Sequence, residues 1–274
     1  MRRLLIHAGF HKTGTSTLQK MLEVNRTRLD PVARIVLHDT LTNTCNAART
    51  YSAKRRTAAL HKYANGFGNF LKSLPDDDTR DILISAEDLA GLMPGRRGQK
   101  TYEAAPFLMK ALTVAIADAF PEPPEVIFYF SLRDPHAWLN SCYAHHVRVV
   151  RMTQTREEFL TEHLESADLN ACIERIRLAV APHRVETAWL HDTEDAPLGP
   201  LQPVADLLGW SAELQSQLEP VAPVNVGLPD PLIAEILTLN QSDLDKEALK
   251  RAKAQARKRW KRNASAGAET ATGS

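Results

Sequence analysis

The sequence predicts an α/β fold in three layers, α/β/α, with a mostly parallel central sheet of about five strands. Three observations predict it. Short apolar or β-branched runs alternate with helical patterns along the chain, the order that places a parallel sheet between helices through right-handed crossovers. The first such run, Leu4-Leu5-Ile6, enters a turn with glycines at Gly9 and Gly14, and a helical pattern follows at Leu18, Met21 and Leu22. With 274 residues, 43% of them hydrophobic, the chain can bury one substantial core.

Strands are expected at 3–8, 34–38, 81–85, 125–132 and 184–190, each an apolar or β-branched run closed by a loop. The run EVIFYFSL, Glu125 to Leu132, is the most concentrated, as a strand buried on both faces requires. Helical patterns fall at 15–26, 54–73, 102–119, 135–150, 156–164 and 168–180, with later ones at 200–208, 230–239 and 245–262. Asp134 suits the cap of the helix after the fourth strand, and Pro135 suits its first turn, where the missing N–H would lack a partner anyway. Residues 40–80 and 91–101 read as less regular insertions. The sequence divides into one α/β domain over 1–244, a basic C-terminal helix over 245–262 and a small, polar, disordered tail over 263–274.

The net charge of +1 conceals an uneven distribution. Between Lys246 and Arg262 nine Lys/Arg stand against one acid, Glu247, so this segment carries +8 and the rest of the chain −7. Such a helix either keeps the protein soluble or contacts an anionic surface; a nucleic-acid partner is not expected. His7 breaks the N-terminal apolar stretch too early for a signal peptide, and no run approaches the roughly 18 apolar residues of a membrane span. Cys45, Cys142 and Cys172 are odd in number and widely spaced, which reads as free thiols in a reducing, cytoplasmic setting. Asp76-Asp77-Asp78 reads as a solvated turn, and the adjacent His145-His146 cannot form an i, i+4 metal pair, so no metal is expected.

The chemistry concentrates in GFHKTGTSTL, Gly9 to Leu18. A strand, a glycine turn and a helix start together offer backbone N–H groups and a helix N-terminus to a phosphate. The spacing Gly9-x4-Gly14 followed by Thr15-Ser16 makes the fold P-loop-like, but the lysine sits inside the turn at Lys12, and Thr15 occupies the place of the triphosphatase lysine. The fourth strand ends in Ser131-Leu132-Arg133, without the aspartate that a magnesium nucleotide needs. A kinase or nucleotide triphosphatase with a degenerate loop, a non-catalytic nucleotide-binding protein and a transferase are the functions such a loop can serve.

The loop resembles the 5′-phosphosulfate loop of sulfotransferases that use 3′-phosphoadenosine 5′-phosphosulfate (PAPS): a strand, a lysine, [ST]-G-[ST]-[ST] and a helix. Their second signature, an arginine at a strand end and a serine eight residues later, is matched by Arg133 and Ser141. The resemblance covers Leu4–Leu22 and Val126–Arg148 and is closest to bacterial, carbohydrate-type members. It implies a donor site made of Gly9, His11, Lys12, Thr13, Gly14, Thr15, Ser16, Thr17, Arg133 and Ser141, with PAPS as co-substrate and no metal. It implies in-line transfer of a sulfuryl group to a hydroxyl or amine of a carbohydrate, lipid or small molecule, with Lys12 stabilising the leaving phosphate. Glu87, in Ser85-Ala86-Glu87-Asp88-Leu89, is the first choice for general base and His38 the second, ahead of Asp39 and Asp88. Arg96, Arg97, Arg148 and Arg151 are compatible with an anionic acceptor. The chain departs from the family at Asn225-Val226-Gly227, where Gly227 replaces a serine, and in lacking a clear basic loop near the nucleotide, for which Arg257–Arg262 could substitute.

Overall fold

The computed structural model of the chain describes residues 2–224 and 227–271, apart from the side chains of 264–271. Five strands, β1 (Arg3–His7), β2 (Ala33–Leu37), β3 (Asp81–Ser85), β4 (Glu125–Leu132) and β5 (Arg184–Trp189), form one sheet in the order β2-β3-β1-β4-β5. Every pairing is parallel, with Ile6 opposite both Ile84 and Phe128. Helices α1 (Thr15–Val24), α2 (Arg26–Leu29), α3 (Thr42–Lys54) and α4 (Thr57–Lys72) precede β3, and α5 (Ala105–Ala119) precedes β4. Between β4 and β5 lie α6 (Pro135–Val149), α7 (Arg156–Glu162) and α8 (Leu169–Val180). After β5 come α9 (Gln202–Leu207), α10 (Ala212–Gln217), α11 (Asp230–Gln241) and α12 (Lys246–Ala271). The expected three-layer α/β/α architecture is therefore present, with a sheet that is wholly parallel.

The chain splits into two compact units, Met1–Trp138 with His163–Asn225, and Leu139–Glu162 with Val226–Ser274. Helix α6 belongs to the first unit only as far as Trp138. The first unit holds the whole sheet. On one face Leu5, Leu83, Ile127 and Tyr129 share a core with Leu18, Met21 and Leu22 of α1 and Val204 and Ala205 of α9. Side chains alternate along a strand, so the fully buried Leu4, Ile6, Ile82, Ile84, Phe128 and Phe130 supply the opposite face. In the second unit, Asn240 of α11 donates to the Val147 carbonyl at 3.0 Å, and Lys253 of α12 donates to Val147 and Val150 carbonyls at 2.8 Å each. Trp260 donates its indole N–H to Glu235 at 3.0 Å, which ties α12 to α11.

Four expectations change. Residues 42–54, read as part of an irregular insertion, form α3. Its Thr-, Asn- and Ser-rich sequence has poor helix propensity, yet it buries the small residues Thr44, Cys45, Ala47, Ala48 and Ser52. The short helix α10 was likewise not foreseen. Asp78 is not solvated: its side chain is 6% exposed and accepts from Arg34 Nε at 2.7 Å and Arg80 Nε at 2.8 Å. The basic helix continues past residue 262 to Ala271. Residues 272–274 of the expected tail, and Asn225 and Val226 of the Asn225-Val226-Gly227 segment, lie outside the described residues. Among the described residues, no helix is long and apolar enough to cross a membrane.

Candidate active site

In this strand order the chain leaves β1 toward the β2–β3 side of the sheet and leaves β4 toward β5. The crevice beyond their carboxyl ends is the place where such sheets bind ligands. The turn after β1 is held along β4: Ala8 N–H donates to the Tyr129 carbonyl at 3.3 Å, Phe10 N–H to Ser131 at 3.3 Å, and Ser131 N–H to Gly9 at 2.8 Å. The buried Thr13 hydroxyl then donates to the Phe10 carbonyl at 2.6 Å and closes the turn. Lys12 has φ 68° and Gly14 has φ 93°, both left-handed. At Gly14 a Cβ would also stand 2.7 Å from Leu190 Cδ1, so the left-handed backbone favours glycine and a larger residue would in addition displace the Leu190 side chain.

Helix α1 starts immediately afterwards, with Thr17 and Leu18 N–H donating to the Gly14 carbonyl at 3.0 and 3.2 Å. The N–H groups of Thr13, Gly14, Thr15 and Ser16 have no hydrogen-bond partner among the described residues. Four consecutive open donors at a helix start are the physical basis of an anion site. The Thr17 hydroxyl is engaged within the chain, accepting from Val224 N–H at 3.0 Å.

Two residues without a local sequence signal, Tyr102 and Trp138, brace this turn. Trp138 donates its indole N–H to the His11 carbonyl at 2.8 Å. The His11 ring lies 3.3 Å (Nε2) from Asp88 Oδ1 and 2.9 Å (Nδ1) from the Tyr102 hydroxyl. A carboxylate only accepts, so Nε2 carries hydrogen, and in the neutral ring Nδ1 accepts from Tyr102. Arg133, at the end of β4, donates to the Lys12 carbonyl at 3.3 Å. The predicted Arg133 and the lysine turn are therefore brought together. Ser141, half-buried on α6, belongs to the second unit and is not brought to the turn by any contact among the described residues.

Both base candidates stand at strand ends in the first unit. Glu87 opens a short turn of 3-10 helix, Glu87–Ala90, after β3 and accepts from Gln19 Nε2 of α1 at 2.7 Å. Gly9 lies against it, since a Cβ there would be 3.5 Å from that of Glu87. His38, after β2, places Nε2 3.1 Å from Asp88 Oδ2, and Arg49 Nη1 of α3 is 3.7 Å from the same oxygen. Burial alone would raise the Asp88 carboxyl, but the His11 hydrogen bond and the charges of His11, Arg49 and His38 hold it below the usual range. Cys45, close by on α3, is pushed up to about 12, first by burial and then by Asp88 and Glu87, so its thiol stays protonated.

Beneath the turn, the fully buried His7 ring joins three strands. Its Nδ1 is 2.8 Å from Ser85 Oγ and its Nε2 3.1 Å from Ser131 Oγ. Burial lowers its pKa to about 4 against an opposing pull from Glu87, which keeps the imidazole neutral. Nothing in the sequence pattern distinguishes His7 from an ordinary strand residue.

No protein-family model and no curated protein matches the chain. Among solved structures, the crystal structure of a sulfotransferase from Alicyclobacillus acidocaldarius is similar over 91% of this chain and 99% of that one, with 16% identity and a TM-score of 0.46.

Proposed function

We propose that the protein is a sulfotransferase that moves a sulfuryl group from PAPS to a hydroxyl or amine of an acceptor. The observation that carries the reading is the turn: four open backbone N–H groups from Thr13 to Ser16, with Lys12 inside the turn and Arg133 hydrogen-bonded to it. These residues fit a donor with anionic groups at two positions. The helix start suits the 5′-phosphosulfate, and the arginine fork suits the 3′-phosphate. Bound there, PAPS supplies the sulfuryl group, whose bond to the 5′-phosphate breaks as the bond to the acceptor oxygen or nitrogen forms.

Lys12 offsets the negative charge that develops on the departing phosphate, an electrostatic task that a preorganised ammonium performs well out of bulk water. Glu87 takes the proton from the acceptor, and Gln19 fixes its carboxylate beside the turn. His38, tied to Asp88, is the second candidate for that task. No metal enters this scheme. Because the donor is made inside cells, the reading carries a cytoplasmic location with it.

The test is calorimetric binding of 3′-phosphoadenosine 5′-phosphate without magnesium, against ATP, on wild type and Arg133→Ala. Micromolar binding that depends on the 3′-phosphate and on Arg133 supports the donor site. Magnesium-dependent ATP binding with no affinity for 3′-phosphoadenosine 5′-phosphate overturns it in favour of a kinase or triphosphatase.

A further inference from the structure

Positive charge in the first unit extends beyond the turn to the surroundings of Asp88. Arg49 projects from α3 to within 3.7 Å of Asp88. Arg96 and Arg97 lie on a closed turn in which Arg96 N–H donates to Met93 at 3.2 Å, Gly95 N–H to Gln99 at 2.8 Å and Gln99 N–H to Arg96 at 3.0 Å. Arg97 takes φ 50° within it. This is a shaped presentation of two arginines, not a loose loop.

The half-buried Arg96 guanidinium makes no hydrogen bond or ion pair among the described residues. The charges that act on it are those of Arg49 and Arg97, with Asp88 as the opposing carboxylate. Asp88 is already shared by His11, His38 and Arg49. Burial, followed by the two like charges, pushes the Arg96 pKa down, so the cluster works against its own charge. A guanidinium partly removed from water beside two others, with the carboxylate in range already occupied, gains most from an external anion that its planar fork can grip.

We propose that Arg49 and Arg96, with Arg97 at the rim, bind an anionic group, a carboxylate, sulfate or phosphate, carried by the acceptor. The enzyme then takes acceptors that are already acidic, and the anion lies near the turn that holds Glu87. The anion site stands on the arginines themselves; its assignment to the acceptor rests on the sulfotransferase reading. A neutral acceptor would leave the Arg96 guanidinium without a partner, which gives the site a means of discrimination.

The test uses the full chain labelled with 15N at arginine Nε and saturated with 3′-phosphoadenosine 5′-phosphate, so that the turn is filled. Inorganic sulfate, glucuronate and glucose 6-phosphate are titrated separately, with glucose as the neutral control. The expected result is a saturable shift of the Arg49 and Arg96 signals with at least one anion and none with glucose, and binding weakened at least fivefold in both Arg49→Gln and Arg96→Gln. Circular dichroism confirms that both variants fold. Signals unmoved by all three anions, an equal response to glucose, or a loss below fivefold in either variant overturns the proposal. If 3′-phosphoadenosine 5′-phosphate does not bind but sulfate still moves both arginines, the anion site stands and its assignment to the acceptor falls.

Discussion

The buried His7 makes a pH-dependent contribution to stability whose size follows from its surroundings. In the unfolded chain the imidazole takes up a proton near 6.5, whereas in the fold burial delays this to about 4. Across that interval the unfolded state binds more protons, so stability rises with pH. The contribution is fully present above about 6.5 and lost as pH falls toward about 4. The separation corresponds to about 3 kcal/mol. The perturbation is His7→Gln, which keeps polar atoms near Ser85 and Ser131 but does not titrate. Urea denaturation of both proteins between pH 7 and about pH 3 is followed by tryptophan emission, with Trp138, Trp189 and Trp210 all reporting from the first unit. Other titrating groups cancel in the difference between the two proteins. That difference should shrink by about 3 kcal/mol on acidification and level off below pH 4. Parallel stability curves over the whole range would refute the reasoning and mean that the imidazole protonates without penalty.

Lys12→Ala should lower kcat by roughly 10²–10³-fold while 3′-phosphoadenosine 5′-phosphate still binds, a split that single-turnover assays and calorimetry separate. Gly91→Ala should destabilise the fold by about 2–4 kcal/mol, because the residue has φ 94° and its Cβ would lie 2.0 Å from Ser52 Oγ; thermal melting measures this. Thr13→Val should reduce nucleotide affinity more than Thr17→Val, since the Thr13 hydroxyl closes the turn onto Phe10, whereas that of Thr17 holds Val224. Comparing the two dissociation constants decides it.

The sheet was legible because a wholly parallel arrangement leaves long apolar runs, and all five strands fall within about two residues of the runs that announce them. The lysine turn was legible because glycine at a left-handed position and an open helix start leave a local mark. What surrounds the site was not legible. Helix α3 is made of residues that favour turns when alone, and its stability comes from close packing, so Arg49 could not be placed beside Asp88 before the fold was known. His7, Gln19, Tyr102 and Trp138 act across 68 to 127 positions in the chain, as Gln19 does on Glu87 and Trp138 on His11. No local pattern encodes a partner at such separation. The split of α6 between two units was hidden for the same reason, because the helix itself is continuous.

Lys253 bears on how the C-terminal region can be cut. Charge composition puts a border at residue 244, and a chain shortened there would appear to lose only a soluble appendage. The hydrogen bonds disagree. Without α12 the carbonyls of Val147 and Val150, at the C-terminal end of α6, lose the ammonium that holds both, and Glu235 loses its tryptophan. The apolar Leu249 and Ala256, each no more than 6% exposed, would leave with it. The basic helix is therefore a wall of the second unit, and its removal is an amputation, not a trim.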